Sequence, residues 1–161
     1  MQAILAVYSD WGIGRDGTQP EVIPEDRARF QKLTRGSCVI YGRKTMLDFP
    51  GKSPLRGREN IIISSTLKSV EGAMVAASKE EALRLSEQFE TVFVIGGASV
   101  YKLFMEDLSK VYITKVFSEP LSDVFFPNLD EDEAWRITEQ SDVLLSENGL
   151  KYQYLTYEKK A

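Results

Sequence analysis

The chain has no histidine. That one absence removes imidazole acid–base catalysis, Ser-His-Asp triads and histidine-containing metal sites, and no metal centre is expected. Cysteine is nearly absent too. The single Cys38 cannot form an internal disulfide, and its apolar surroundings read as a buried, inert thiol rather than a nucleophile. Long apolar runs are missing. The opening Met1–Tyr8 run is too short to span a bilayer and lacks the basic start of a signal peptide, so a cytoplasmic location with no membrane partner is expected. There is no basic excess: 20 Lys and Arg stand against 24 Asp and Glu, a net charge of −4, which argues against nucleic acid as a partner. An anionic ligand would have to be held by a local cluster of cations and backbone donors. Internal repeats, linkers and low-complexity segments are also lacking.

What is present is an ordinary globular composition, 43% hydrophobic and 27% charged over 161 residues, enough for one domain with a real core. Ile4 to Tyr8 reads as a buried strand. The segment from Ser9 to Pro24 is loop-like, punctuated by Gly12, Gly14, Gly17 and Pro20, and is long enough to suggest a lid or binding loop. A helix starts at Pro24-Glu25-Asp26, with proline in its first turn and acids at the positive end of the dipole; Phe30 and Leu33 follow Asp26 at i+4 and i+7. Further strands are read at Cys38–Tyr41, Asn60–Ser65, Ala73–Ala76, Thr91–Ile95 and Lys110–Phe117. A short helix runs through Met46-Leu47. Ser78-Lys79-Glu80-Glu81 fits a capping box opening a helix to about Phe89. A further helix carries Val100, Leu103 and Phe104 on one stripe. Trp135–Ser141 and Tyr152–Tyr157 alternate around the turn signal Glu147-Asn148-Gly149, which predicts an antiparallel hairpin. Strands alternate with helices first and then pair directly, so the class is α/β with an antiparallel edge.

Two strand-to-turn switches stand out. Gly96-Gly97 follows a buried strand and opens a helix, leaving backbone N–H groups available to an anion, or else simply serving a tight turn. Gly42-Arg43-Lys44-Thr45 follows another strand. It is not a Walker A loop, and Gly96-Gly97 is not a dinucleotide G-x-G-x-x-G fingerprint. Together the two switches suggest one elongated polyanion held at both, against the alternative of two unrelated surface turns. Asp26 on an otherwise apolar stripe is costly unless paired; it is either a common helix N-terminal acid, or a group that binds an amidine-like cation or performs acid–base chemistry. Arg56 and Arg58, flanking Gly57, are either solvated or able to clamp a carboxylate in bidentate fashion.

Taken in order, these segments resemble the dihydrofolate reductase family, bacterial chromosomal type, over nearly the whole chain. The resemblance rests on Ile4-Leu5-Ala6-Val7, Trp11-Gly12-Ile13-Gly14, Ile23-Pro24-Glu25-Asp26 with Phe30, Val39-Ile40-Tyr41-Gly42-Arg43-Lys44-Thr45, Pro54-Leu55-Arg56-Gly57-Arg58 running into Asn60-Ile61-Ile62, Val94-Ile95-Gly96-Gly97 with Tyr101, Tyr112-Ile113-Thr114, and Asp123 with Phe126-Pro127. It implies a single domain over 1–161, with roughly 38–88 as an adenosine-binding subdomain. The implied fold is a central, mostly parallel eight-stranded sheet with a C-terminal antiparallel hairpin and about four helices. The implied reaction is NADPH-dependent reduction of 7,8-dihydrofolate to tetrahydrofolate in a monomer, with antifolates as plausible inhibitors. Asp26 matches the acid of the pterin pocket, accepting from the ring N–H and 2-amino group and promoting protonation at N5, with Thr114 in support. Ile4 and Ile95 would offer carbonyls, Leu5, Phe49 and Tyr101 would complete the substrate side, and Phe30 and Leu55 would pack on the benzoyl group. Arg58 would pair with the glutamate α-carboxylate. For NADPH, Ala6, Ile13 and Gly14 would meet the nicotinamide end, and Gly42, Arg43, Lys44 and Thr45 the phosphates. Ile95, Gly96, Gly97, Ala98, Ser99, Val100 and Tyr101 would line the pyrophosphate side, and Arg43 with Ser64 and Ser65 the 2′-phosphate. The family joins the glycine pair by a cis peptide.

The sequence departs from that pattern at two positions. Glu21 stands where a bulky apolar or aromatic residue is usual, and Arg27 where Leu or Met is usual, so an Arg/Glu pair is expected at the pocket rim. Two rivals stay open: a reductase of another heterocycle, such as the pyrimidine reductase of riboflavin synthesis, and a non-catalytic NADPH-binding relative. Arg58 speaks against the first, because a clamp for a glutamate tail would have no use there.

Overall fold

Short β-branched runs free of charge are suited to strands buried on both faces. The computed structural model, which describes all of residues 1–161, places β3 (Cys38–Gly42) and β4 (Glu59–Ile63) side by side near the middle of one sheet, with β6 (Val92–Gly96) on the other flank of β3. β1 (Gln2–Tyr8) lies between β6 and β7 (Lys110–Val116), and β5 (Met74–Ala76) forms the edge beyond β4. All these pairings are parallel. β11 (Lys151–Lys159) adds to β7 in antiparallel sense, and both β9 (Trp135–Gln140) and β10 (Leu144–Leu145) pair along its outer side. Eight strands thus run in line, β10-β11-β7-β1-β6-β3-β4-β5, with β9 sharing the edge position. The expected mostly parallel eight-stranded sheet with an antiparallel C-terminal edge is observed, with α1 (Pro24–Thr34), α2 (Arg43–Met46), α3 (Lys79–Ser86) and α4 (Ala98–Phe104) beside it.

The two-residue period of the strands sorts side chains onto two faces. Ala3 and Val7 of β1, Cys38 and Ile40 of β3, and Ile113 of β7 join Val100, Tyr101 and Phe104 of α4 in the larger core. Ile4, Val39, Tyr41, Ile62 and Phe93 form a second core, against which Phe30 and Leu33 of α1 pack. The stripe expected on α4 is corrected here. Val100, Tyr101 and Phe104 are the buried set, whereas Leu103 is 40% exposed, because the helix is docked along its i, i+1, i+4 edge.

Local chemistry explains the helix starts. Pro24 occupies the first turn of α1, with Glu25 and Asp26 beside it. Ser78 caps α3 by accepting from the Glu81 N–H at 3.1 Å. Glu81 reaches back to the Ala77 N–H at 3.3 Å, one residue before the partner of a standard capping box. α3 stops at Ser86, short of Phe89, which closes a turn instead. The Glu147–Gly149 turn joins β10 to β11, not β9 to β11 as the alternation suggested; β9 pairs farther along the same strand, across a bulge at Thr156/Tyr157. The segment from Ser9 to Ile23 also carries one element that turn residues conceal: β2 (Gly12–Gly14) pairs with β8 (Val124–Phe125).

Candidate active site

Asp26 sits in the first turn of α1 and faces the sheet. The Thr114 hydroxyl of β7 donates to its Oδ1 at 2.5 Å, across 88 residues of chain. Thr114 lies opposite Ala6 on β1 and Tyr154 on β11, so these three residues form one row across the sheet beneath the carboxylate. Burial pushes the Asp26 carboxyl above its ordinary range, while the Thr114 hydroxyl and the nearby Arg29 guanidinium pull it partly back.

The second polar feature on this side is Arg58. Its Nε donates to Thr34 Oγ1 at 3.1 Å and its Nη1 to the Arg56 carbonyl at 2.8 Å, with the guanidinium carbon 5.8 Å from the Phe30 ring centre. Burial, and after it the charge of Arg35, lower its pKa from the usual arginine value. The loop that carries it is braced by the buried Asn60. The Asn60 Oδ1 accepts from the Leu55 N–H at 3.0 Å and the Tyr41 hydroxyl at 2.9 Å. Its Nδ2 donates to the Leu55 and Arg58 carbonyls at 2.9 and 3.1 Å. Phe30, Phe49, Leu55 and Ile95 pack around Ile4 on this same face. The Tyr101 hydroxyl donates to the Ile4 carbonyl at 3.0 Å, fixing one candidate acceptor. Leu5 departs from the group, because its side chain packs into the core on the opposite face and only its backbone fronts the site.

The two glycine switches meet because β3 and β6 are neighbours, with Tyr41 in register with Gly96. The Gly96-Gly97 peptide is cis, and Gly96 has φ of 134°. A Cβ on Gly96 would lie 3.4 Å from Thr45 Oγ1, and one on Gly42 would lie 3.2 Å from Val100 Cγ2. Arg43, Lys44 and Ser99 are exposed around this junction, and the first amides of α2 and α4 open onto it. Ser65 is exposed, whereas the Ser64 Oγ already accepts from the Leu67 N–H at 3.1 Å. Ala6 and Ile13 are half-buried and Gly14 is buried at the inner end of the same cleft. A carboxylate at one end, a braced arginine at another and a side-chain-free polyanion cradle describe a cleft for two ligands.

The family model for dihydrofolate reductase matches residues 1–159. The chain belongs to the dihydrofolate reductase family. It is 38% identical to the dihydrofolate reductase of Neisseria meningitidis serogroup B, over 96% of this chain and 94% of the relative. It is 34% identical to that of Bacillus subtilis, over 98% and 93%. The dihydrofolate reductase of Enterococcus faecalis, solved with NADP(H) and RAB-propyl, superposes with a TM-score of 0.86 at 29% identity, covering 99% of this chain and 96% of that one. As a member of the family the chain is an NADPH-dependent oxidoreductase that reduces dihydrofolate.

Within this dihydrofolate reductase fold, the segment before α1 is tied down on two sides. On one side, Asp123 donates its N–H to the Gly14 carbonyl and accepts from the Asp16 N–H on Oδ2, both at 2.9 Å. On the other, Ser146 Oγ and the Glu147 N–H donate to Glu25 at 2.7 and 3.0 Å, and Asn148 Nδ2 donates to the Val22 carbonyl at 2.8 Å. Those two donors hold the Glu25 carboxyl below its usual range. The expected Glu21–Arg27 pair is not formed. Arg27 is exposed on the outer side of α1. Glu21 is anchored by its backbone, whose N–H and carbonyl both bond the Tyr8 hydroxyl, while its Oε2 is buried without a partner. The cation that faces Asp26 is Arg29, one turn on. Sequence reading missed Arg29 and Asn60. The i, i+3 spacing from Asp26 was a signal for the first; no motif marks the second, whose bonds to Leu55, Arg58 and Tyr41 depend on how the loop folds back on it.

Proposed function

We propose that Asp26, Thr114 and Arg58 bind and orient dihydrofolate while Gly42–Thr45 and Gly96–Val100 hold NADPH, and that reduction takes place between them above Ala6. The single observation that carries the assignment is the half-buried Asp26 carboxylate bonded to Thr114. The chain has no histidine to share acid–base work with it. A pterin offers a ring N–H and a 2-amino group side by side, and a carboxylate accepts both as a charge-assisted pair. Holding that negative charge against the ring favours protonation at N5, and the raised affinity of Asp26 for a proton suits it to promote that step. NADPH supplies the hydride when bound.

The remaining residues orient and exclude water. Phe30, Phe49 and Leu55 offer an apolar wall for the benzoyl group, with Ile4, Ile95 and Tyr101 at the ring end. Arg58, pre-set by Thr34 and Arg56, is suited to the glutamate α-carboxylate. The residues present fit the cofactor. At the cradle a Cβ on Gly42 would crowd Val100, Gly96 holds a φ of 134° that side chains rarely adopt, and Arg43 and Lys44 are exposed and free to meet phosphate. Arg43 with Ser64 and Ser65 suits a 2′-phosphate, and residues 38–88 would then receive the adenosine half. Diaminopyrimidine-type antifolates would address Asp26 in the same way as the pterin. We take the working form as a monomer, and the lone buried thiol fits a cytoplasmic setting. An assay of NADPH oxidation with dihydrofolate tests the reading. Turnover is expected, and Arg58→Ala should raise KM for dihydrofolate by about tenfold or more, the worth of a charge-assisted pair, with KM for NADPH little changed. Equal losses for both ligands would contradict the clamp.

A further inference from the structure

Arg29 lies one turn after Asp26 on α1, on the side that faces the sheet. Its guanidinium carbon is 3.9 Å from the centre of the Tyr154 ring and 6.0 Å from that of Tyr112. Its Nη1 is buried and has no hydrogen-bond partner. Tyr154 is in register with Thr114, and Thr114 donates to Asp26, so helix and sheet close a ring of four side chains: Asp26, Thr114, Tyr154 and Arg29. Arg29 nonetheless forms no ion pair with Asp26. A direct fork would occupy the carboxylate oxygens that the substrate needs. Stacking on Tyr154 instead keeps the cation nearby while leaving those oxygens open.

We propose that Arg29 is a positioning residue for the chemistry at Asp26: pinned to the Tyr154 ring, its guanidinium keeps the carboxylate ionised without occupying it. This rests on the reading of Asp26 as the pterin-binding acid. Among the groups around Asp26, Arg29 is the one cation. On β7, Thr114 is uncharged but shares the task by donating its hydroxyl to the carboxylate. On β11, the Tyr154 phenol, pushed up to about 12 mainly by burial, stays neutral in the working range. On β1, the Tyr8 hydroxyl is engaged with the Glu21 backbone, and Glu21 beyond it is an acid and supplies no cation. On α1 itself, Glu25 is bonded to the 146–147 turn and Arg27 points to solvent. Burial favours the neutral carboxyl and is the larger effect, and the Thr114 hydrogen bond and then the Arg29 charge oppose it.

The test is a carbon-detected carboxyl titration of Asp26 in the ligand-free full chain, with Asp26→Asn identifying the resonance by its loss. In Arg29→Gln the Asp26 midpoint should move up by about one unit, the scale for removing one nearby opposite charge. Arg29→Lys, which retains the charge, should recover most of that shift. In turnover, the pH limb of kcat assigned to Asp26 should move the same way in Arg29→Gln while KM for NADPH stays put. A folded Arg29→Gln whose Asp26 titrates as in the parent overturns the proposal, since a purely structural arginine would change melting temperature and not this midpoint. Should Arg29→Gln fail to fold, Tyr154→Leu removes the ring that holds the guanidinium. An upward shift there supports the proposal, and an unchanged midpoint overturns it. The two readings fail separately. A fully active Asp26→Asn would remove Asp26 from the reaction while leaving an Arg29-dependent midpoint intact. A slow Asp26→Asn with no shift in Arg29→Gln would leave Asp26 in the reaction and discard the role of Arg29.

Discussion

Asp26 is a residue that stability alone would not choose. Its carboxyl is raised by burial, so its protonated form contributes stability that is fully present below the ordinary value of 3.8 and is lost as pH rises through the higher folded-state value. At neutral pH the ionised group opposes folding. Asp26→Asn keeps the Thr114 acceptor and removes the charge. The variant should melt about 2–4 °C higher at neutral pH, the shift that about 1 kcal/mol gives a chain of this size, with the gap closing on acidification. Reduction by the same variant should slow on the order of 100-fold or more, the scale of lost acid–base assistance. A melting curve and an activity assay across pH check both, and full activity would sink the proposed role. Asn60 makes the opposite case. Its four hydrogen bonds serve the backbone around Leu55 and Arg58, and Asn60→Ala would strand buried donors and acceptors. A loss of about 2–3 kcal/mol in denaturant unfolding is expected, together with a higher KM for dihydrofolate as the arginine loosens. Asp26 was legible because a carboxylate interrupts an apolar helical stripe. Asn60 was not, because three of its partners lie at Tyr41 and Leu55 and the fourth at Arg58, and nothing local announces them.

Among the elements, the segment from Ser9 to Ile23 shows how turn composition can hide order. Its glycines suggest a loop, yet Gly12 and Gly14 pair with β8 as β2, and Gly12 has no space for a side chain because Ser122, just before β8, passes too close. A Cβ on Gly12 would come within 2.2 Å of Ser122 Oγ and 2.7 Å of its Cβ. Gly12→Ala should therefore cost about 1–3 kcal/mol of local packing and loosen the β2–β8 ladder. Hydrogen exchange at the Asp16 amide, which donates to Asp123, should speed up while exchange in the central strands does not; unchanged exchange at Asp16 would contradict the account. The helix starts at Pro24 and Ser78 were readable from capping chemistry, which acts within four residues. The buried stripe of α4 was readable only in part, since the choice between Leu103 and Tyr101 depends on the angle at which the helix meets the sheet.

At the scale of the whole molecule, the cleft exists because the parallel sheet brings distant strand ends together. Glycine switches at 42 and 96 become one cradle through the β3–β6 pairing, and Asp26 meets Thr114 through the packing of α1 over β7. A ligand that spans this cleft should stabilise the fold as a unit. NADPH at 100 times its Kd should add about 2.7 kcal/mol, raising the melting temperature by about 5–10 °C; a thermal shift titration checks this, and no shift would contradict the cofactor site. The sequence by itself determined the class, most of the strands, the helix starts and the family, because periodicity, capping and ordered motifs are properties of neighbouring residues. It also determined which chemistry was excluded, since a missing histidine is missing in any fold. Only the tertiary structure decided that Arg29 rather than Arg27 faces the acid, that Glu21 is held by Tyr8, and that Asn60 braces the arginine loop. Those outcomes turn on which side chains the strand order and helix docking bring within a few ångströms, and the angle and depth of that docking leave no periodic trace in the chain.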